Sequence, residues 1–262
     1  MDKLNTIQQF ESYLNARCQP GTAKVYVNAL KLWLSYLNGN EPSQKSAQSY
    51  INSLIKKKLS PSTVNLRGSA IRRWFKYQGI KIELDYPTAI RLKEPQYLSI
   101  EEVEQVIAAC RTPLERALVI ILFDTAVRVS ELMNLRIKDI DWNKGLLSVT
   151  RKGGGGDLVN ISDRGAKALR DWIDSRQLDT ERVFGSVEYY DVWRLLRVIG
   201  KRAGLKNVRP HIFRHSRAIQ MLSNGATIYA VQQHLGHKNI STTMNVYGRF
   251  KAADLKEQIP SW

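Results

Sequence analysis

All four histidines of the 262-residue chain fall within 27 residues, as His211 and His215 in HIFRH and His234 and His237 in HLGH. Side chains spaced four and three apart share a helix face, and imidazole is a good zinc ligand, so a metal site is one reading. Fixed cations oppose it. Arg214 lies inside the first pair and Arg217 just beyond, and the segment holds no Cys, Asp or Glu to complete a mixed ligand set. No metal is therefore expected, and His215 and His234 read as packing residues. His211 and Arg214 stand one helical turn apart behind Pro210, which suits a first helical turn, and a cation beside an imidazole suits a phosphate. Thr227 to Leu235 reads as a helix stopped by Gly236, which projects His237 from the helix end, with Tyr247 on the element that follows. Spacing alone gives Tyr247, one of eleven tyrosines, no special standing. Gly153 to Gly156 invite a phosphate-loop reading, but such a loop carries GK[ST] after its glycines, and here Lys152 precedes them. No nucleotide and no other cofactor is expected.

These residues need a frame, and the charge says what the frame must hold. The chain carries 40 Lys and Arg against 24 Asp and Glu, a net charge of +16. The excess is spread: residues 1–92 hold 14 basic and 5 acidic side chains, residues 93–262 hold 26 and 19. Charge on both halves suits an extended surface for duplex DNA. The longest apolar run, Ala117 to Phe123, is far shorter than the roughly 20 residues that cross a bilayer, so no membrane association is expected. Cys18 and Cys110 form no CxxC, which points to a reducing cytoplasm, and a surface suited to DNA would place the protein on the nucleoid there.

The first half reads as four helices, Leu4 to Ala16, Thr22 to Leu37, Ser43 to Lys57 and Ser60 to Gln78, with Val25, Leu30, Trp33, Leu34 and Leu37 as an apolar stripe. Its candidate phosphate contacts are Lys56, Lys57, Lys58, Arg67, Arg72, Arg73 and Lys76, joined from the second half by Arg151. A linker holding Pro87 and Pro95 separates a second half that opens with a capping box, Ser99 and Glu102. A buried helix over Leu114 to Phe123 and a hairpin over Gly145 to Ile161 follow, the hairpin tipped by the glycine run, before helices resume at Arg164.

TAVRVSEL at 125–132, RKG at 151–153, HIFRH at 211–215, LGH at 235–237 and TTMNVY at 242–247 together resemble the tyrosine recombinases in order and spacing, over nearly the whole chain. The resemblance implies a mainly α fold with a small antiparallel β-sheet. A helical core-binding domain (1–85), a linker (86–96) and a mixed α/β catalytic domain (97–249) would form a clamp around DNA, followed by a tail (250–262) that docks on a neighbouring protomer or folds back on its own domain. It makes Arg128 and Arg214 the arginines on the scissile phosphate and Tyr247 the nucleophile. Lys152 becomes the general acid to the departing 5′ oxygen, His211 a base or phosphate contact, His237 a phosphate hydrogen-bond donor and Glu131 a supporting acid. Implied partners are double-stranded DNA with inverted-repeat sites and a homotetramer on two duplexes, with accessory proteins, and the choice among integration, excision and multimer resolution, left open. Two departures stand out: Ala126 occupies a position where the family commonly has Gly, and the glycine run replaces a more basic stretch. The alternatives are a type IB topoisomerase, which uses similar chemistry on one duplex, and a DNA-binding protein without catalysis.

Overall fold

The computed structural model describes residues 3–86, 96–151, 154–176, 180–185, 187–237 and 239–254. The chain divides into two compact units, Met1–Arg91 and Leu92–Trp262.

The first unit is built from α1 (Lys3–Asn15), α2 (Pro20–Leu37), α3 (Gln44–Lys56) and α4 (Pro61–Tyr77). Their starts follow local chemistry. Pro20 and Pro61 occupy first turns, where a missing N–H costs nothing, and the Ser43 and Ser60 hydroxyls accept from Ser46 N and Thr63 N. Phe10, Leu14, Leu30, Trp33, Ile51 and Ile71 are fully buried at the centre, where Trp33 meets Trp74 edge to face at 5.5 Å between ring centroids. The apolar face of α2 runs through Ala23, Val27, Leu30, Leu34 and Leu37. Val25, expected in that stripe, is 42% exposed, because two residues along a helix turn a side chain through about 200° away from Val27. After α4 the chain returns along α3: Gln48 holds the Asp85 backbone through N–H (2.8 Å) and carbonyl (2.9 Å), and the Tyr86 ring sits over Gly68, where any β-carbon would be 2.8 Å from it. The rest of the expected linker, through Pro95, lies outside the described residues.

In the second unit α5 (Ile100–Ala108), α6 (Pro113–Thr125) and the short α7 (Val129–Met133) precede a three-stranded antiparallel sheet in the order β1 (Ile140–Asp141), β2 (Leu146–Thr150), β3 (Gly156–Asn160). Then come α8 (Asp163–Ser175), α9 (Tyr189–Arg202), α10 (Pro210–Ser223), α11 (Ile228–Leu235) and α12 (Ile240–Asp254). The capping box at Ser99 and Glu102 starts α5. In the hairpin Leu147 pairs with Val159 and Thr150 with Gly156, and Leu147, Val149 and Val159 face the core. Leu158 points the other way and is 66% exposed, as the two-residue period of a strand requires. The two-residue β1 has no sequence signal of its own.

Helix α6 is the spine of this unit, with Ala117 to Leu122 all buried. It packs closely on α8, because Gly165 lets Asp124 approach: a β-carbon there would meet Asp124 Oδ2 at 2.6 Å, and that same oxygen accepts from Ser162 N. Glu115 takes both Arg202 amino groups (2.7 and 3.0 Å), which ties α9 to the start of α6. A second, smaller apolar cluster joins Ala126, Ala218, Ile219, Leu222, Val231, Leu235 and Tyr247. It gathers the end of α6 with α10, α11 and α12, the elements that carry the chemical residues. Helix α12 runs unbroken past residue 249, where the sequence reading ends the catalytic domain.

Candidate active site

The end of α6 sets the first cation. Ala126 adopts a left-handed conformation (φ 52°) that stops the helix and turns the chain into α7, which Arg128 caps. Glu131, one turn on and only 4% exposed, accepts from Arg128 N (2.9 Å) and from Arg128 Nη1 (2.7 Å), so both ends of Arg128 are held by one carboxylate. The same carboxylate accepts from Arg151 Nη1 at 2.9 Å.

Arg151 comes from the end of β2. Its guanidinium is buried, giving Nε to Asp157 Oδ2 (2.9 Å) across the hairpin and Nη2 to the His234 carbonyl (3.4 Å). Three of its donors, one on each nitrogen, thus go to protein acceptors, and Arg151 ties the hairpin, α7 and α11 together. Gly236, at φ 62°, ends α11 beneath that guanidinium.

Arg214 sits inside α10, 5% exposed. It donates Nη1 to the Ala126 carbonyl (2.5 Å) and Nη2 to the Leu235 carbonyl (2.6 Å), at the C-terminal ends of α6 and α11, where helix carbonyls carry negative partial charge. No carboxylate among the described residues pairs with it. Burial, and then Arg128, push its pKa down to about 10, against the opposing pull of Glu131 and Tyr247. A buried guanidinium whose hydrogen bonds go to carbonyls, with Arg128 beside it, is short of negative charge, and an incoming anion relieves that deficit.

The remaining groups converge on Arg214. His211, exposed on the first turn of α10, has its pKa lowered by partial desolvation and by Arg214, Arg128 and Arg209. His237 shares a proton with buried Thr243 through Nδ1 and Oγ1 (2.8 Å), and burial and the nearby guanidiniums push its pKa down to about 4. Tyr247, on α12, is 1% exposed, and burial lifts its pKa to about 12. Its hydroxyl lies 2.5 Å from His215 Nδ1.

Arg128, Glu131, His211, Arg214, His237 and Tyr247 are thus brought to one region, while Lys152 lies outside the described residues. Sequence reasoning missed His215, treated as packing, along with Thr243 and the buried role of Arg151. The i, i+4 spacing of His211 and His215 was the available signal for His215, since it puts both on one helix face. In the first unit Lys56, Lys57, Lys58, Arg72 and Lys76 are exposed, whereas Arg67 and Arg73 are half-buried, Arg67 donating to Tyr50 Oη (3.2 Å) and Arg73 lying over the Tyr13 ring. Among the described residues no group of three His, Cys, Asp or Glu side chains could hold a metal, and no helix is long and apolar enough to cross a membrane.

Residues 96–253 match the model of the phage integrase family, and residues 7–78 match that of the phage integrase N-terminal SAM-like domain. The tyrosine recombinase XerA of Pyrococcus furiosus is 31% identical over 97% of this chain and 92% of its own. The tyrosine recombinase XerC of Lacticaseibacillus casei is 28% identical over 97% of each. The crystal structure of XerA recombinase superposes with a TM-score of 0.59 at 27% identity, covering 98% of this chain and 100% of that one. A lambda integrase dimer bound to a core site gives 0.70 at 17% identity, over 94% and 78%. With a family model spanning most of the chain and a relative matching it nearly end to end, the chain belongs to the phage integrase family: it is a tyrosine recombinase, an enzyme that cuts and rejoins DNA strands.

Proposed function

We propose that the site described above performs site-specific recombination by two transesterifications, without metal or nucleotide. A DNA phosphate enters between Arg128 and Arg214. Tyr247 Oη bonds to phosphorus, the bond to the 5′ oxygen breaks, and the chain is left joined to a 3′ phosphate; a 5′ hydroxyl of the partner duplex then attacks, expelling Tyr247. One ester replaces another at each step, so no energy source is consumed. The two guanidiniums offer fixed donors to the charge that builds on the non-bridging oxygens, where one preorganised donor contributes roughly 10²- to 10³-fold. Glu131 keeps Arg128 aimed. His211 takes the proton that leaves Tyr247 Oη, His237 reaches the same phosphate, and Lys152, assigned by its match to the family's lysine in RKG, protonates the departing 5′ oxygen, a step worth about 10²- to 10⁴-fold.

The observation that carries this reading is Arg214, a buried cation with carbonyl partners only, beside an equally buried tyrosine hydroxyl. The +16 charge suits duplex DNA as the partner. Exchange between duplexes needs two sites cut on each, so the working assembly is a tetramer on inverted-repeat sites, acting in the cytoplasm. The test mixes two differently labelled duplexes carrying the recognition sequence, with EDTA present. Joint molecules carrying both labels are expected; relaxation of one duplex with no joint molecules would instead indicate topoisomerase action, and a strict need for magnesium would overturn the mechanism.

A further inference from the structure

His215 is left over when the roles above are assigned, yet it is the residue that touches the nucleophile. It lies one residue past Arg214 on α10, on the face that continues through Ala218, Ile219 and Leu222, and Tyr247 from α12 packs on that face. The two rings are 5.7 Å apart between centroids, inclined at 56°, and Nδ1 stands 2.5 Å from Oη. A phenol 1% exposed must give its proton to something, and among the described residues His215 Nδ1 is the hydrogen-bond partner of Oη.

We propose that His215 is a positioning residue for the reaction: its imidazole accepts the Tyr247 hydroxyl through Nδ1 and fixes where Oη stands relative to Arg214. This rests on Tyr247 being the nucleophile. Acceptance by Nδ1 places the imidazole proton on Nε2. The alternative role, proton acceptor in the attack, fits less well. Burial, His211, Arg214 and Arg209 push the His215 pKa down to about 4 while burial lifts Tyr247 to about 12, so the shared proton belongs to the tyrosine. The burial and the surrounding cations that make His215 a poor base make it a dependable neutral acceptor. The hydroxyl is held protonated and aimed until a phosphate arrives.

Asn separates the two roles, because its side-chain oxygen can replace Nδ1 as an acceptor but cannot take up a proton. The first arm needs no DNA: ¹³Cζ-tyrosine NMR, with the Tyr247 signal assigned by its loss in Tyr247→Phe. The hydrogen-bonded shift should survive in His215→Asn and move in His215→Ala, with thermal unfolding checking that both fold. The second arm measures the single-turnover rate of covalent adduct formation on sheared genomic DNA. We expect His215→Ala to fall by about 10- to 100-fold, the order of cost of a nucleophile displaced by about 1 Å, and His215→Asn to stay within about threefold of the parent. A His215→Ala protein with the parent's rate and tyrosine shift overturns the proposal, as does a His215→Asn protein that falls as far as His215→Ala. If the parent protein itself forms no adduct, it is the nucleophile assignment that fails, and the NMR arm still decides whether His215 holds the hydroxyl.

Discussion

The guanidinium of Arg151 lies against Gly236 so closely that a β-carbon on Gly236 would stand 2.5 Å from Nε and 2.6 Å from Cζ. The glycine of LGH therefore serves twice, once for its positive φ and once for the space it leaves. Gly236→Ala would strain the helix end by about 1–2 kcal/mol and drive Arg151 off Glu131, where disrupting a buried pair costs roughly 3–5 kcal/mol. We expect a loss of about 3 kcal/mol or more in urea unfolding, with recombination abolished. A Gly236→Ala protein of unchanged stability would show that Arg151 can move aside freely.

Arg214 bridges two helix ends and faces the site at once, which one ammonium cannot do. Arg214→Lys keeps the charge but surrenders the fork, and hydrogen bonds to charged groups contribute about 1.5–3 kcal/mol each. Stability should fall by roughly 2 kcal/mol and covalent adduct formation by about 10²- to 10³-fold. Equal activity in the lysine variant would mean that charge alone suffices.

Three histidines make the protein acid-sensitive. Burial holds His215, His234 and His237 near pKa 4, with Arg217 adding to the effect on His234, against about 6.5 in an unfolded chain. Between those values the unfolded chain binds more protons, so folding stability rises with pH through the window. The contribution is complete above about pH 6.5 and lost as pH falls through about 4. His234, whose buried Nε2 has no hydrogen-bond partner among the described residues, tests the point: in His234→Gln the midpoint of urea unfolding should depend less steeply on pH between about 4 and 6.5. An unchanged slope would place the acid sensitivity elsewhere.

Ala126 occupies a left-handed position, fully buried in the small apolar cluster beneath the site. Glycine would relieve about 1–2 kcal/mol of strain but give up about 0.8 kcal/mol of methyl burial and roughly 0.5–1 kcal/mol of chain entropy. The terms nearly cancel, so Ala126→Gly should change stability by less than about 1 kcal/mol, whereas Ala126→Val, β-branched and overpacked, should lose roughly 3 kcal/mol. Urea unfolding of the two variants decides this.

The parts of the molecule readable in the sequence are those fixed by neighbours along the chain. Pro20, Ser43, Pro61, Ser99, Pro210 and Thr227 mark helix starts because capping and fixed φ act within one turn. The hairpin shows itself by alternation. What could not be read depends on partners far apart in the chain. Nothing local tells that Arg151 will be buried, because its carboxylate partner Glu131 lies 20 residues earlier, although Asp157 six residues on, across the hairpin, was a clue. His215 meets Tyr247 over a separation of 32 residues, and only the packing of α12 on α10 brings them together.

The central claim is that Tyr247 carries the DNA, and the most direct measurement is covalent capture. Parent protein and Tyr247→Phe are incubated with sheared genomic DNA in EDTA, quenched in detergent and digested, and the protein-linked fragments are sequenced while the nucleotide-bearing peptide is identified by mass spectrometry. The account predicts adducts with the parent protein alone, at a few inverted-repeat sites, with the nucleotide on the peptide containing Tyr247. Adducts that persist in Tyr247→Phe, or a nucleotide on another residue, would contradict it.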